Sequence, residues 1–202
     1  MTAYTTVEAI HGELPDVEWS GKYNELLDAL ILRVSRLVDK ATNRADGAYA
    51  VATATDRYFD GSGGRVQWVD EMAAAPTTVA VSATGALSYT TWASTDYMLW
   101  PYNAPAMGMP YVRLDIDQLN GNYAAWYQFP KSVKITAKWG YSTAVPGPIA
   151  QAVVTQTVRW FKRAQQGFQD VGAIFDLGQL RYVQRLDPDV GLILDHYRRV
   201  NV

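Results

Sequence analysis

The fold is decided by one stretch, Val133-Lys134-Ile135-Thr136-Ala137-Lys138-Trp139-Gly140-Tyr141, followed three residues later by Val145-Pro146-Gly147-Pro148-Ile149. Its first half alternates apolar residues with Lys and Thr, the period-two pattern of a strand with one buried face. Gly140 ends this strand, and Pro148 suits the first turn of a helix that Ile149 opens. The stretch therefore predicts a rigid strand-turn-helix joint without catalytic groups, defined by Trp139, Gly140, Tyr141, Val145, Pro146 and Ile149.

Helical patterns occupy the N-terminal part of the chain and the part that follows the joint. Thr5 and Glu8 have the spacing of a capping box, which predicts a short helix that ends at Gly12. Residues 23–43 carry apolar side chains at the i, i+3, i+4 and i+7 spacing of one buried face. Residues 149–168 are apolar over a wider arc, which predicts a central helix packed on several sides.

The C-terminal arm, residues 187–202, is predicted to contain a further helix. Asp187 can cap it, and Pro188 then occupies its first position. Arg198 and Arg199 complement the negative end of its dipole. Its narrow apolar stripe consists of Val190, Ile193, Leu194 and Tyr197. Such a stripe can pack on the chain's own bundle or enter a partner's groove, and the pattern alone leaves both open.

Between the helical parts, residues 49–140 have the composition of β structure, with short runs rich in Val, Thr and aromatics separated by Gly, Pro and Asp. Strands are predicted within residues 50–59, 66–69, 77–82, 96–99, 111–115 and 133–139. The tip of a hairpin between the first two is predicted at Asp60, Gly61, Ser62, Gly63 and Gly64. The sequence thus predicts an α+β protein, in which residues 1–48 and 141–202 form a small helical bundle and residues 49–140 form a β-rich insertion.

Composition and charge exclude several classes of protein. The 202 residues include no cysteine, which excludes disulfides, thiolate catalysis and zinc-thiolate sites. A net charge of -2 argues against binding nucleic acid by neutralising many phosphates, although a mildly acidic lumen would let DNA slide through a ring. No apolar run approaches the ~18 residues of a membrane helix, and the N-terminus lacks a secretion signal, so we expect synthesis in the cytosol and no membrane partner.

Candidate catalytic groups are few. His11 and His196 lie near opposite ends of the chain, so they do not predict a base-nucleophile pair. The glycine-rich residues 60–64 are followed by neither Lys-Ser/Thr nor a nucleophile-elbow pattern. Asp115 and Asp117 could together face a hard cation, but a solvated face is favoured because the sequence offers no third ligand. We therefore expect no enzymatic activity, no cofactor and no metal.

The aromatic content, with seven Trp and thirteen Tyr, is unusual. Aromatic side chains on a β surface can stack on sugar rings, which makes a carbohydrate-binding β module the alternative from another class. The tryptophans are nevertheless scattered over separate predicted strands and loops, at Trp68, Trp92, Trp100, Trp126 and Trp139. Such scatter suits cores and subunit interfaces, and a sugar-binding sandwich has little use for several helices.

The order of these motifs resembles the head-to-tail connector (adaptor or head completion) proteins of long-tailed bacteriophages, in which a strand ending in Gly-Tyr leads through a Val-Pro turn into an apolar helix. The match consists of the joint, preceded by Asp96-Tyr97 and Trp100-Pro101 and followed by Leu186-Asp187-Pro188-Asp189-Val190. The resemblance implies a structural protein of the virion neck, assembled in the bacterial host cytoplasm.

The resemblance further implies an adaptor ring, a dodecamer, that binds the portal protein after DNA packaging and extends the DNA channel. DNA would pass through its lumen without specific binding, and the ring would meet the next neck protein. By the same resemblance, docking on the portal is assigned to the C-terminal arm through Val190, Ile193, Leu194, Tyr197, Arg198 and Arg199. Stopper and tail-terminator proteins of the same neck are the nearest alternatives.

Overall fold

The computed structural model of the protein describes residues 2–14, 21, 23–104, 106–165, 171–173, 180–182 and 186–199. These residues form four helices and nine strands, which confirms the predicted α+β fold. The chain divides into two compact units. Met1–Gly47 and Val145–Val202 form one, called the helical unit, and Ala48–Ala144 form the other, called the β unit.

The β unit contains two antiparallel sheets. Its strands are β1 (Thr55–Phe59), β2 (Val66–Met72), β3 (Thr78–Val81), β4 (Thr90–Thr91), β5 (Tyr97–Trp100), β6 (Tyr111–Ile116) and β7 (Val133–Ala137). The first sheet has the order β1-β7-β3-β4 and the second the order β2-β6-β5. All except β4 overlap a predicted strand, and two residues are too few to show a period.

Alternation along the strands builds one core between the sheets. In β7, Val133, Ile135 and Ala137 are buried, whereas Lys134 and Thr136 between them are only half-buried. The inward side chains of both sheets form one cluster of Met72, Val79, Val81, Trp92, Leu114, Ile116, Trp126, Val133, Ile135, Ala137 and Trp139. Because the inner faces pack on each other, the outer faces of the two sheets lie on opposite sides of the β unit.

The glycine-rich connection after β1 differs from its prediction. Because β1 pairs with β7 and β2 pairs with β6, no hairpin tip is formed by Asp60, Gly61, Ser62, Gly63 and Gly64, which instead cross from the first sheet to the second. The Gly61 N–H donates to the Phe129 carbonyl at 3.1 Å, and a Cβ on Gly61 would lie 1.8 Å from the Tyr127 carbonyl oxygen. The glycine therefore serves close approach of two backbone segments, which the sequence pattern of a turn does not distinguish from a hairpin.

The helical unit consists of α1 (Val7–Glu13), α2 (Asn24–Ala41), α3 (Gly147–Gln165) and α4 (Pro188–His196). Helix α3 packs against each of the other three. The buried side of α2 follows the predicted spacing through Leu27, Leu30, Ile31, Val34 and Val38. Between α3 and α4, the strands β8 (Val171–Ala173) and β9 (Leu180–Tyr182) form an antiparallel pair. The predicted continuation of α3 through residues 166–168 lies outside the described residues.

The sequence predicted the N-terminal caps of two helices, α4 and α1. The cap of α4 is confirmed, since the Asp187 carboxylate accepts from the Asp189 N–H at 3.0 Å and Pro188 is the first helical residue. The cap of α1 is one residue later than predicted, because Thr6 rather than Thr5 has the extended backbone of an N-cap and accepts from the Ala9 N–H at 3.4 Å.

Candidate functional site

The strand half of the predicted joint lies in the β unit. Trp139 is buried, and the Tyr141 N–H donates to the Ala48 carbonyl at 2.7 Å. A Cβ on Gly140 would lie 2.5 Å from the Val51 side chain and 2.7 Å from the Ala48 carbonyl oxygen, so this position requires glycine. The glycine that the sequence assigned to strand termination is thus also a site of close packing.

The helix half of the joint lies in the helical unit. Helix α3 begins two residues after Val145, and the carbonyl of Pro146 accepts from the Ala150 N–H at 3.0 Å. Pro148 lies in the first turn, and Ile149 is fully buried. The two halves together supply backbone geometry and apolar packing rather than chemically reactive groups.

The outer face of the second sheet carries a row of two tryptophans with an arginine between them. In the strand register Trp68 of β2 lies opposite Arg113 of β6, which lies opposite Trp100 of β5. The Arg113 guanidinium carbon is 5.3 Å from the Trp68 ring centroid and 4.5 Å from the Trp100 ring centroid, so the cation lies between two indoles. A neighbouring row places Val66, Asp115 and Met98 side by side. We call the surface of these two rows the tryptophan face, comprising Val66, Trp68, Met98, Trp100, Arg113 and Asp115.

The tryptophan face is unusually exposed for its composition. Trp68 is 62% exposed and Met98 is 38% exposed. The loop that joins β5 to β6 extends the apolar surface at one end with Tyr102, which is 54% exposed and packs edge-on against Trp100 at 4.8 Å. Contiguous exposed apolar surface of this kind on a soluble protein marks an interaction site more often than a neutral surface.

A polar pair lies within the tryptophan face. An Arg113 guanidinium nitrogen lies 2.8 Å from an Asp115 carboxylate oxygen, and both side chains are mostly buried. The remaining Asp115 oxygen and the Arg113 Nε find no hydrogen-bond partner among the residues that the structure describes. The pair is held in one geometry by the flanking indoles, so binding a partner would cost little side-chain entropy.

The outer face of the first sheet is chemically different. The Thr136 hydroxyl donates to one Asp56 oxygen at 2.6 Å, and the Lys134 ammonium lies 2.9 Å from the other. The Thr136 hydrogen bond, and then Lys134, hold the pKa of the Asp56 carboxyl below its ordinary value, and Asp56 in turn raises the pKa of Lys134. These polar side chains are therefore satisfied by one another. We call this surface the polar face.

One end of the polar face carries a smaller aromatic cluster. The Tyr58 and Tyr89 rings lie 6.0 Å apart, and the Tyr89 hydroxyl donates to the Lys131 carbonyl at 2.7 Å. With Leu87, which is 57% exposed, these residues line an open cavity of about 300 Å³. We call Tyr58, Leu87, Tyr89 and Lys131 the tyrosine patch.

A buried carboxylate fixes the start of β5. Asp96 accepts from the backbone and side-chain amides of Asn122, each at 2.9 Å, and from the Ala93 N–H at 2.8 Å. Burial works against ionisation of this carboxyl, but the hydrogen bonds from Asn122 and Ala93 outweigh it and hold the Asp96 pKa below its ordinary value. The ionised carboxylate thus anchors one edge strand of the tryptophan face.

The C-terminal arm packs on its own bundle. Val190 and Leu194 are buried, and α4 contacts α3. After the helix, the Arg199 N–H donates to the Thr42 carbonyl at 2.9 Å and the Arg199 carbonyl accepts from the Asn43 side chain at 3.3 Å. Val190 and Leu194 therefore pack on the chain's own bundle rather than remaining free to enter a partner's groove. Ile193, Tyr197 and Arg199 are half-buried, while Arg198 and Leu192 are exposed.

The helical unit also has an apolar groove. An open cavity of about 300 Å³ lies between α2 and α3 and is lined by Leu26, Leu30, Arg33, Trp160, Arg163 and Ala164. Leu26 is one of the more exposed leucines in the described chain.

The candidate catalytic and metal-binding residues lie on separate elements of the described chain. His11 lies on α1 and His196 on α4. Asp115 pairs with Arg113, and Asp117 instead accepts from the Leu119 and Asn120 N–H groups of the turn after β6. The described residues include no group of three or more His, Asp or Glu side chains arranged to hold a metal ion. In the same part of the chain, no helix is both long and apolar enough to cross a membrane.

Two solved structures share this fold along nearly the whole chain. One, the neck of an empty gene transfer agent particle computed with C6 symmetry, has a TM-score of 0.57 at 17% identity and covers 97% of this chain and 90% of that one. The other, the neck of a native gene transfer agent particle computed with C12 symmetry, has a TM-score of 0.54 at 16% identity and covers 100% and 94%. The likeness establishes a common fold. No family model matches the sequence, and no curated protein does either.

Proposed function

We propose that the protein is a structural component of the head-tail neck of a phage-like particle and forms a homo-oligomeric ring there. The observation that carries this proposal is the fold shared with two neck structures over 97% and 100% of the chain. A likeness of that extent includes both units, so it is not a small motif common to unrelated proteins. The neck structures have cyclic symmetry, C6 in one case and C12 in the other, which favours a ring.

Within the neck we propose the adaptor role, a dodecamer that binds the portal after DNA packaging, extends the DNA channel and meets the next neck protein. The resemblance of the strand-turn-helix joint to phage connectors favours this role over stopper or tail terminator. The net charge of -2 suits a lumen through which DNA passes without specific binding. The proposed location is the virion, after assembly in the cytoplasm of a bacterial host.

We propose that the C-terminal arm docks on the portal through its exposed side. Val190 and Leu194 are buried within the bundle, whereas Leu192 is 73% exposed and Arg198 is also exposed. Exchange of Leu192 for Glu removes no buried contact, so it separates docking from folding. We expect Leu192→Glu to fold normally and to lose binding to purified portal protein, while Leu119→Glu, at a 94% exposed loop position of the β unit, keeps it.

The direct test of the neck assignment is assembly. We expect the purified chain, alone or mixed with portal protein, to give rings of a single subunit number in mass photometry and electron microscopy. Failure to form any ring under either condition would contradict the proposed function. Rings of twelve that bind portal would support the adaptor role, whereas rings that bind only tail components would favour a terminator.

A binding role also predicts that the histidines are dispensable. His11→Gln combined with His196→Gln, on helices α1 and α4, should leave ring assembly and particle infectivity within about tenfold of normal, because a binding role needs neither imidazole as a base. A larger loss with normal folding would reopen an enzymatic role.

A carbohydrate-binding module is the second candidate, and the observation that favours it is the exposed Trp68 ring on the same sheet face as the half-buried Trp100. Sugar-binding surfaces use such rings as flat stacking platforms. We rank this candidate lower because the shared fold includes the helical unit. A glycan array should show no saturable binding, and a micromolar hit abolished by Trp68→Ala would reverse the ranking.

A further inference from the structure

A closed ring of identical subunits imposes a geometric requirement on each copy. Every subunit must present two different surfaces that complement each other, because cyclic contacts beyond a dimer are heterologous. In a ring of twelve, successive copies are rotated by only about 30°, so the two surfaces must lie on nearly opposite sides of the subunit. The outer faces of the two sheets of the β unit satisfy this requirement.

The tryptophan face has the composition and rigidity of one such surface. Trp, Met and Arg are the residues most enriched in the buried centres of protein interfaces, and this face presents Trp68, Trp100, Met98 and Arg113 together. Arg113 is already held between two indoles and by Asp115, so the surface is preorganised. Trp68 is the most exposed tryptophan of this face, at 62%.

The tyrosine patch has the complementary features. It lies on the opposite side of the β unit, where Tyr58 belongs to the outward row of β1 opposite Lys134. Its open cavity of about 300 Å³, walled by Tyr58, Leu87 and Tyr89, offers room for a protruding aromatic side chain. Lys131 lines that cavity and is exposed, and a lysine ammonium is attracted both to the face of an indole and to a carboxylate. The charge of the patch therefore suits the exposed Trp68 indole of the tryptophan face.

We propose that the tryptophan face of one copy docks on the tyrosine patch of the next copy around the ring, with Trp68 entering the cavity beside Tyr58, Leu87 and Tyr89. This inference rests on the proposed ring and specifies its subunit contact. It assigns the contact between neighbouring subunits to the β unit, whereas the C-terminal arm is assigned to the portal.

The absence of cysteine from the chain allows a clean cross-linking test. Met98→Cys places a thiol on the tryptophan face and Leu87→Cys places one on the tyrosine patch, and both side chains are exposed. Treated with a short bifunctional thiol reagent, a mixture of the two single variants should give covalent dimers, and the double variant should give a ladder up to the full ring. Each single variant alone should give none, because a heterologous contact never brings two identical positions together.

Anchor variants of the double-cysteine protein complete the test. Trp68→Lys should lower the cross-linked yield at least about tenfold, as expected for a central anchor, while Leu119→Lys should leave it unchanged. Dimers from Met98→Cys alone would mean a face-to-face contact and would overturn the inference. Rings that form without cross-links in the mixture, or Met98→Cys chains that cross-link only to portal, would also overturn it while leaving the proposed ring intact. Absence of any ring would instead refute the proposed function, and the inference with it.

Discussion

The polar face and the tryptophan face rest on the same core and have the same antiparallel geometry, yet their chemistry differs. On the polar face Asp56, Lys134 and Thr136 satisfy one another within the sheet. On the tryptophan face Trp68 and Trp100 stay accessible, and an Arg-Asp pair keeps atoms without partners among the described residues. Backbone structure cannot be the cause of this difference. It indicates that the first face, except at the tyrosine patch, is adapted to water and the second to a protein partner.

Both faces rest on one core, so the largest loss of stability is expected from a variant of that core. Trp126 is 1% exposed and stacks at 4.7 Å on Trp92, which stacks at 4.0 Å on Tyr123. Replacing Trp126 by Ala leaves a cavity and should lower the free energy of unfolding by about 3–5 kcal/mol. Chemical denaturation followed by fluorescence measures the loss. A loss of free energy of unfolding below about 1 kcal/mol would show that Trp126 does not support the two faces.

The matched surface variant sharpens the same prediction. Trp68→Ala removes an equally large ring from the tryptophan face, but most of that ring contacts solvent. We expect at most about 1 kcal/mol of stability loss, from the contact with Arg113, together with loss of ring assembly. The core variant Trp126→Ala should therefore act mainly on stability, whereas the surface variant Trp68→Ala should act mainly on ring assembly.

The crossing that places the two faces back to back is the next target. Gly61 lies between β1 and β2, and a Cβ there would lie 1.8 Å from the Tyr127 carbonyl oxygen and 2.4 Å from the Ser132 hydroxyl. Because backbone must move to admit a methyl group, Gly61→Ala should cost about 1–3 kcal/mol. Gly64→Ala, in the same connection but with open space around it, is the control and should change stability little. Equal costs in thermal melts would refute the close-approach explanation.

Residues 60–64 and α4 differ in how well the sequence predicts their structure. The cap of α4 was predictable because Asp187 and Pro188 act on their own neighbours, and the strands of β7 and β6 were predictable because alternation is local. The partner of β1 was not predictable, because β7 lies more than seventy residues away and glycine serves a turn and a close approach equally well.

The candidate interface was missed for a related physical reason. Trp68 and Trp100 come together only because β6 lies between β2 and β5, which no local pattern reveals. A signal was nevertheless present. Tyr97-Met98-Leu99-Trp100 is apolar at every position, so one side of this strand in a two-layer unit had to expose apolar side chains.

Acid should weaken the edge of the tryptophan face through Asp96. The folded pKa of this carboxyl lies below its ordinary value of 3.8, so its ionised form stabilises the fold above pH 3.8, and that contribution is lost as pH falls through the folded pKa. Asp96→Asn places an amide donor against the Ala93 or Asn122 N–H and should cost about 1–3 kcal/mol at neutral pH. The difference between wild type and variant should shrink in acid. A gap that is constant from pH 7 to pH 2 in urea titrations would contradict this account.

The smallest effect is expected on the polar face, at Asp56. Its carboxylate is exposed and its partners, Thr136 and Lys134, are also within reach of water, so solvent can replace what Asp56→Asn removes. We expect a slight loss of thermal stability at low salt, and no difference at about 1 M salt, where charges a few ångströms apart are screened. Ring assembly should be unchanged, because Asp56 lies outside the tyrosine patch. If Asp56→Asn abolished the ring while Trp68→Lys left it intact, the contact between copies would lie at Asp56, Lys134 and Thr136 rather than at the tryptophan face.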